Sequence, residues 1–345
     1  MKGNLFRSRK KLIILTASIL MFVASANNAQ NVDYSGTSAA NFLKIGVDAR
    51  VMAMGDAAIA TVDGPTAMYW NVGALSRMSK DVSVSFSTMN WLVGTRHSYI
   101  AGALNLGEAG TIGADLQYLD YGTIEETTVY DQDGTGRFFS ASDFSLGFGY
   151  SRQMTDRFSF GVKVKYIRED IANAHAEAFG FDVGAVFVTS FFNNNLRLAA
   201  SLANFGSKMK FTGRDLYITY IIPGSPTGKQ IPGELLTEEW EIPLLFRFGV
   251  SNYFLNNETW TLLMAFDILD SRDYDVRYNL GGELGFEKTL YLRAGYKFNY
   301  DEVTYTIGGG LDFSKFTDFK ITLDYLFLKY GVFGNLNQFT LRVDL

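Results

Sequence analysis

Hydrophobic and polar residues alternate along most of the chain after residue 80. In Phe158–Tyr166 the apolar side chains occupy alternate positions, and Ser, Gly and Lys occupy the positions between them. The same alternation returns in residues 179–185, 290–296 and 319–325. Because successive side chains of a β-strand point to opposite faces, each segment is predicted to be a strand with one apolar face and one polar or small face.

Fourteen segments follow this pattern, and most have ten or more residues. Strands of soluble sheets average about five or six residues, whereas a tilted strand needs about 9–11 residues to cross a membrane. The predicted strands are residues 81–90, 97–106, 110–120, 142–153, 156–168, 177–189, 195–204, 244–252, 258–269, 276–287, 289–298, 302–313, 317–328 and 336–345.

The lengths of the connections between these segments distinguish two possible architectures. A soluble β-sandwich buries the apolar faces, whereas a membrane barrel turns them towards lipid and alternates short periplasmic turns with longer outer loops. Counted from the first strand, the long connections 121–141, 169–176 and 205–243 all fall at odd positions. The sequence therefore predicts an all-β protein, a transmembrane antiparallel β-barrel of about 14 strands with both termini in the periplasm. A secreted β-sandwich is the alternative.

The N-terminus has the features of a secretory signal peptide. A basic stretch precedes the apolar run Leu12–Val23, and Ala24–Ala26 supplies a small-residue cleavage site. Cleavage is predicted near Ala26, with Ala29 or Gln30 as the alternative. The predicted organisation is a signal peptide at 1–26, an N-terminal periplasmic segment and plug at 27–80, and an outer-membrane β-barrel at 81–345. The mature chain would keep 26 basic and 36 acidic residues, a balance that argues against nucleic-acid binding.

One short helical piece, Asp63–Leu75, precedes the strands. Asp63 or Gly64 can cap it, and Pro65 fits its first position. It is shorter than the roughly 12–15 residues that an isolated helix needs, so it must be buried against other residues. A barrel lumen offers such a place, and we predict a lumenal plug from about residue 37 to 80. The residues predicted to hold the plug or gate the lumen are Gly55, Asp56, Pro65, Tyr69, Trp70 and Asn71.

Charged residues alternate with the outward apolar residues of the predicted strands. A charge facing lipid at mid-depth costs about 2–4 kcal/mol, so these side chains are predicted to face the lumen. Pairing with one another and pinning the plug is the favoured role, and lining a substrate path is the alternative. The residues are Asp115, Lys163, Lys165, Asp182, Arg247, Asp267, Glu283, Arg293, Lys297, Asp312, Lys320, Asp324 and Arg342.

Few residues suggest catalysis or metal binding. The chain has no cysteine and two histidines, which leaves little for thiol chemistry or His-based sites. Asp131–Gly136 resembles the start of a calcium loop, but Ser142 stands where the bidentate Glu is needed. Gly147–Gly149 and Gly308–Gly310 lie inside strands, where bending of the sheet is favoured over space for a plug. We predict no catalytic residue, no metal and no cofactor.

The longest connection, 205–243, is rich in apolar residues. Loops beyond about 15 residues are usually functional or disordered, and the apolar content argues against disorder. This loop is predicted to bind a protein partner or an incoming ligand. The candidate residues are Tyr217, Tyr220, Ile221, Ile222 and Trp240.

A set of short segments, in order along the chain, resembles a known family. They are Ala40–Arg50, Met54–Ala57, Tyr69–Asn71, Leu119–Gly122, Thr135–Asp143, Lys165–Ile167, Phe181–Gly184, Ala203–Gly206 and Leu292–Tyr296. Together they resemble the PorV/PorQ family of Bacteroidota outer-membrane proteins, whose fold is similar to that of the fatty-acid channel FadL. The family usually has Pro-Ala after Trp-Asn, whereas Val72 and Gly73 follow Asn71 in this chain.

The resemblance implies a fourteen-stranded barrel in the outer membrane of a Gram-negative, Bacteroidota-like cell, with the N-terminal segment in the lumen. It also implies a non-enzymatic component of type IX protein secretion, or of cargo handling at the outer membrane. The partners implied are outer-membrane lipid and either the secretion machinery or secreted cargo. The alternative is a FadL-like channel for hydrophobic small molecules, which needs a continuous path past the plug.

Overall fold

The computed structural model describes residues 36–189, 191–192, 196–221, 223, 230–315, 317 and 319–345. The predicted signal peptide at 1–26, the first residues of the predicted plug domain and Ile222 lie outside the described residues. Within the described residues, no helix is long and apolar enough to cross a membrane.

Fourteen antiparallel strands of the described residues close into one barrel. Each strand pairs with the next along the chain, and the last pairs with the first, placing Leu341 opposite Phe86. Every predicted strand overlaps one observed strand, so the predicted barrel is confirmed. The strands are β1 Val82–Asn90, β2 Arg96–Asn105, β3 Thr111–Glu125, β4 Phe138–Gln153, β5 Phe158–Ile171, β6 Ala174–Val188, β7 Arg197–Gly206, β8 Leu245–Asn256, β9 Trp260–Ser271, β10 Tyr274–Phe286, β11 Leu290–Phe298, β12 Tyr305–Asp312, β13 Lys320–Lys329 and β14 Asn335–Asp344.

Burial along the strands is inverted relative to a soluble protein. In β1, Ser83, Ser85 and Ser87 are buried, while Val84 and Phe86 between them are exposed. The exposed apolar side chains face outwards, where only a lipid environment offers them apolar contact. The predicted alternation is therefore the alternation of a membrane barrel, and the sandwich alternative is wrong.

The connections define two ends of the barrel. We call the end that carries the connections after odd-numbered strands the excursion end, because it carries the longest one, residues 207–244. The opposite end, with the connections after even-numbered strands, is the turn end.

The second of the three predicted long connections, 169–176, is wrong. Strand β5 continues to Ile171 and β6 starts at Ala174, which leaves a turn of two residues. Arg168 binds Asp170 and Glu177 on this extension. Polar residues replace the apolar face there, so the hydrophobic pattern stops while the strand ladder goes on.

Residues 36–80 fill the lumen with short helices. Two α-helices, α1 Ala49–Ala53 and α2 Ala67–Trp70, alternate with 3₁₀ turns at Asn41–Lys44, Gly64–Thr66 and Val72–Arg77. Their apolar side chains form the core of the protein together with small and apolar side chains of the inner wall. This segment, which we call the plug, agrees with the predicted lumenal position. Further 3₁₀ turns lie in the connections at Leu92–Gly94, Gly107–Ala109, Arg214–Leu216 and Gly331–Phe333.

The excursion, residues 207–244, has its own small strands. Lys208–Met209 pairs with Trp240–Glu241 at its base, and Thr212–Gly213 pairs with the start of β6. Tyr217–Ile221 and Gln230–Glu234 form a hairpin further out.

Candidate functional site

The plug crosses the lumen from the excursion end to the turn end. At its start, Ser38 forms a bridge to Glu241 and donates its hydroxyl to Asp273 Oδ2 at 2.6 Å. At its end, Arg77 Nε donates to Ser159 Oγ at 2.9 Å, near the turn preceding β5. The C-terminal residue Leu345 also lies at the turn end, where its backbone pairs with that of Val82. Ser38 and Leu345 therefore lie at opposite ends of the barrel.

Tyr69 and Trp70 of α2 tie the two halves of the plug together. Trp70 is 4% exposed, and its Nε1 donates to the Val47 carbonyl oxygen at 3.0 Å. The Tyr69 hydroxyl donates to the Leu43 carbonyl oxygen at 3.0 Å. The two rings meet edge to face, with their centroids 4.9 Å apart. Both aromatic residues thus hold the first half of the plug through its backbone.

Asn71 joins the plug to itself and to the wall. Its Nδ2 lies 3.1 Å from the Ile59 carbonyl oxygen and 3.2 Å from that of Ala185, and its Oδ1 accepts from Gly73 N at 3.1 Å. A Cβ added to Gly73 would collide with the Gly184 carbonyl oxygen. The Gly that stands here in place of the usual Ala of the resembled family therefore permits close contact between plug and wall.

Buried ion pairs attach the plug to the barrel wall. Arg50 of α1 makes two hydrogen bonds to Glu283, at 2.8 and 3.1 Å. Lys297 pairs with Asp56, the second residue of the Gly55–Asp56 turn. Gly55 N itself donates to Thr306 Oγ1 at 3.0 Å.

Asp63 does not cap the short helix as expected. Its Oδ1 accepts from Arg342 Nη1 at 2.6 Å, because the carboxylate faces the wall of β14. Pro65 is the second residue of the 3₁₀ turn that begins at Gly64, rather than the first residue of a helix.

The wall charges also pair with one another. Lys163 binds Asp115 at 2.7 Å, and its Nζ donates to the Met68 carbonyl oxygen of the plug at 3.0 Å. Lys165 binds Asp182 at 2.8 Å. These contacts agree with the favoured role, in which the wall charges pair with one another and hold the plug.

Several inward glycines make room for the plug. A Cβ at Gly149 would come within 2.7 Å of Met68 Sδ, and one at Gly308 would come within 2.6 Å of Ala53 Cβ. Bending of the sheet, the favoured explanation for these glycines, stays a prediction. The packing adds a second role, because a Cβ at Gly149 would meet the plug and one at Gly308 would meet both the Tyr325 carbonyl oxygen of the wall, at 2.3 Å, and the plug.

Two cavities of similar size lie in the lumen beside the plug, one towards each end. A cavity of about 330 Å³ at the excursion end is lined by Met52, Tyr69 and Trp70 of the plug, among others. A cavity of about 320 Å³ at the turn end is lined by Asp48, Arg50 and other charged residues. Among the described residues, the two cavities share no lining residue.

Two arginines, Arg247 and Arg277, are among the charged residues that line the excursion-end cavity. Arg247 was among the charges predicted to face inwards, but the cavity around it was not predicted. Arg277 was missed, although it occupies an alternate position of the tenth predicted strand. No group of three or more His, Asp or Glu side chains suited to a metal occurs in the described part of the chain.

The excursion places its predicted partner residues on the surface. Tyr217 is 66% exposed, Tyr220 49%, Ile221 57% and Trp240 46%. Leu236, which the sequence reasoning missed, is 88% exposed. These side chains lie outside the barrel wall, on a segment that contacts the start of the plug through Glu241.

Solved structures similar to the chain are barrels of the FadL type. The toluene transporter TbuX of Ralstonia pickettii is 13% identical over 86% of this chain and 97% of that chain, with a TM-score of 0.53. The Pseudomonas putida toluene transporter TodX is 16% identical over the same shares, with a TM-score of 0.53. A Pseudomonas aeruginosa FadL homologue is 11% identical over 90% of this chain and 99% of that one, with a TM-score of 0.53. At these identities the likeness establishes the fold alone.

A comparison with curated proteins gave no significant match. A family model described as type IX secretion system protein PorV matches residues 26–219, more than half of the chain. The family and the lipid-facing barrel place the protein in the outer membrane, in contact with lipid. The chain belongs to the PorV family of type IX secretion system proteins.

Proposed function

We propose that this protein is a non-enzymatic component of type IX protein secretion that binds a protein, either secreted cargo or another part of the machinery, at its excursion end. The observation that carries this proposal is the excursion itself, which exposes Tyr217, Ile221, Leu236 and Trp240 beyond the barrel. Exposed apolar clusters outside the lipid-facing wall are typical of protein-binding surfaces.

The proposed orientation puts the excursion end outside the cell. Outer-membrane barrels keep their short turns in the periplasm and their long loops outside. Leu345 then lies in the periplasm as expected, whereas the chain at Ser38 lies at the outer end. The prediction of two periplasmic termini rests on strand parity and stays a prediction, because the described chain begins only at residue 36.

The excursion combines a fixed base with an accessible hairpin. Met209 and Ile242 at the base are buried, and Asp215 accepts a hydrogen bond from Asn173 N, in the β5–β6 turn, at 3.0 Å. Further out, Tyr217–Ile221 and Gln230–Glu234 pair only with each other among the described residues. Their outer edges offer backbone groups for strand addition, and the exposed side chains offer apolar contact.

The plug argues for a sealed binding protein over a channel. A FadL-like channel needs a continuous path, but the plug separates the two cavities among the described residues. Met54 and Ala57 at the centre of the plug are fully buried. The ion pair between Arg50 and Glu283 holds the plug to the wall and opposes its displacement by a substrate.

Removing the hairpin tests the proposal. Leu235 N donates to the Leu216 carbonyl oxygen at 2.8 Å, so the chain can be closed across the hairpin with little strain. Removing Tyr217–Glu234 should leave the barrel assembled and abolish co-purification of the partner protein. Unchanged co-purification would refute the assigned surface.

A further inference from the structure

Two arginines in the excursion-end cavity lack an acidic partner. Arg247 of β8 is 6% exposed, and its guanidinium lies over the rings of Tyr69 and Trp70, at 5.6 and 5.4 Å from their centroids. Its Nη1 has no hydrogen-bond partner in the described part of the chain. Stacking on the plug fixes the position of this charge without neutralising it.

Arg277 of β10 is held in a similar way. Its guanidinium lies 3.5 Å from the ring centroid of Tyr274 and 4.4 Å from that of Tyr300, and its buried Nε has no hydrogen-bond partner among the described residues. Because rings cover the flat faces of the guanidinium, its in-plane N–H groups are the part left to bind another group. That edge donates hydrogen bonds in a fork that matches a carboxylate.

The deeper acids of the cavity use one carboxylate oxygen each. Asp56 Oδ2 pairs with Lys297, and Asp267 Oδ2 accepts from the backbone N–H groups of Ala58 and Ile59 at 2.7 and 2.9 Å. Oδ1 of both residues is buried without a hydrogen-bond partner among the described residues. None of the described carboxylates forms an ion pair with Arg247 or Arg277. Arg247 is buried and Arg277 is half-buried. Because a cation withdrawn from water without a counter-charge is costly, an anion entering the cavity gains more from these two side chains than from an exposed arginine.

The rest of the lining limits what that anion can be. Asp301 and Glu302 are exposed at the rim and repel an anion the more strongly the higher its negative charge, which favours a monoanion over a multiply charged one. The rings of Trp91 and Tyr330, whose centroids are 5.4 Å apart, can pack against the apolar part of a ligand. A volume of about 330 Å³ lies at the lower end of the usual range for ligand pockets.

We propose that this cavity binds a small organic monocarboxylate, whose oxygens accept from the guanidinium groups of Arg247 and Arg277 and whose apolar body packs against the surrounding aromatic rings. The same chemistry is offered by a free acid and by the C-terminal carboxylate of a polypeptide. This site is distinct from the excursion surface and goes beyond the proposed function, so either proposal can fail alone.

Isothermal titration of the full chain in a non-ionic detergent tests the proposal, with 3-phenylpropanoate as the probe and 3-phenylpropanamide as its uncharged control. Trp70 and Trp91 line the cavity, so tryptophan fluorescence gives a second readout of occupancy. The acid should bind, and the amide should bind at least about ten-fold more weakly, the usual size of a charged hydrogen bond.

Arg277→Gln should lower the affinity for the acid about ten-fold or more, and Arg247→Gln should do the same. Arg272→Gln is the matched control, since Arg272 lies at the same end but is exposed and paired with Glu241. Arg247 packs on Trp70, so Arg247→Gln could disturb the plug. Arg277 lies on the wall, away from Trp70, and Arg277→Gln therefore tests the site without that effect. Equal binding of acid and amide, no binding at millimolar concentration, or an Arg277→Gln protein that binds normally would overturn the proposal.

Peptides distinguish the two sources of the carboxylate. A phenylalanine-terminated pentapeptide with a free carboxylate that binds more tightly than 3-phenylpropanoate, and loses that binding when amidated, assigns the site to a polypeptide C-terminus. Tighter binding of 3-phenylpropanoate assigns it to a free acid.

Discussion

The indole N–H of Trp70 donates to the carbonyl oxygen of Val47 across 3.0 Å. This bond joins α2 to the segment before α1, two parts of the plug that are 23 residues apart in sequence. Trp70 also lines the excursion-end cavity and supports the guanidinium of Arg247. The Trp70 side chain thus joins two parts of the plug, lines the excursion-end cavity and positions the charge of Arg247.

Trp70→Ala should loosen the plug while the barrel still folds. Truncating a buried tryptophan costs about 3–5 kcal/mol, and here that loss falls on the plug because the strand ladder does not involve Trp70. Conductance across a planar bilayer should rise from the near-zero level of the native protein, while heat-modifiable migration on a gel stays native. Trp260→Ala, at an outward position that is 42% exposed, is the matched control. Native conductance in Trp70→Ala would contradict a sealing role.

Adjacent glycines of β10 provide a pair of substitutions with opposite expectations. A Cβ at Gly281 would collide with the Met54 carbonyl oxygen, whereas one at Gly282 meets nothing closer than the Leu263 carbonyl oxygen at 3.9 Å. Gly281→Ala should displace the plug and increase hydrogen exchange around Met54, and Gly282→Ala should leave exchange native. Equal protection from hydrogen exchange in the two variants would mean that the plug does not depend on the close contact between Met54 and Gly281.

The Arg50–Glu283 contact is expected to anchor the plug more strongly than a surface pair would. Glu283 also accepts from Arg293 at 2.7 Å, so Glu283→Gln leaves the partly buried Arg50 without its carboxylate partner and leaves the buried Arg293 with Asp324 alone. Breaking a buried pair on one side costs about 3–5 kcal/mol. Thermal unfolding should start at a lower temperature than in the native protein. Hydrogen exchange should increase first in α1.

Glu177→Gln is the control for that substitution. It removes an ion pair with Arg168 in which both side chains are more than 30% exposed, and such pairs contribute about 0–1 kcal/mol. A loss of stability in Glu177→Gln as large as in Glu283→Gln would show that burial does not set the strength of the plug anchor.

Asp48 should make the plug sensitive to pH. Burial, followed by the negative charge of Asp324, raises the pKa of Asp48 to about 6. A carboxyl whose pKa is raised in the folded state favours that state while protonated. Its contribution is therefore full below about pH 4 and is lost as the pH rises through about 6. Acrylamide quenching of Trp70 should increase between pH 5 and 7.5.

Asp48→Asn should remove that dependence, because the amide stays neutral and can still accept from Arg50 N as the carboxylate does at 2.9 Å. Asp63 does not produce the same effect. Burial opposes its ionisation, but the charge of Arg342 outweighs burial and holds the pKa of Asp63 well below its ordinary value, so it stays charged throughout this range. A pH response that persists in Asp48→Asn would assign the response to another group.

The strands could be predicted because each one carries its own signal. Ser83, Val84, Ser85 and Phe86 alternate in the sequence as they do across the barrel wall. The alternation also identified the inward charges, since a lipid-facing charge is unfavourable wherever it occurs. The prediction weakened beyond the membrane at Arg168–Glu177, where the ladder continues without an apolar face.

The contacts between plug and wall could not be predicted in the same way. Asp63 and Arg342 are 279 positions apart, and the sequence showed Asp63 only as a candidate cap. The direction of the plug depends on Ser38 meeting Glu241, a contact between two loops that no periodicity describes. The cavity around Arg277 arises only when β8, β10 and the plug come together.

If the excursion binds a protein partner of the secretion pathway, removing its hairpin must remove that partner from the purified protein. The full chain and the variant lacking Tyr217–Glu234 are purified in parallel from detergent-solubilised outer membranes, and the co-purifying proteins are quantified by mass spectrometry. We expect secreted cargo or secretion-machinery subunits with the full chain and at least a ten-fold loss of them with the variant, at equal barrel yield. Identical protein partners for the two chains, or lipid alone with both, would contradict the account.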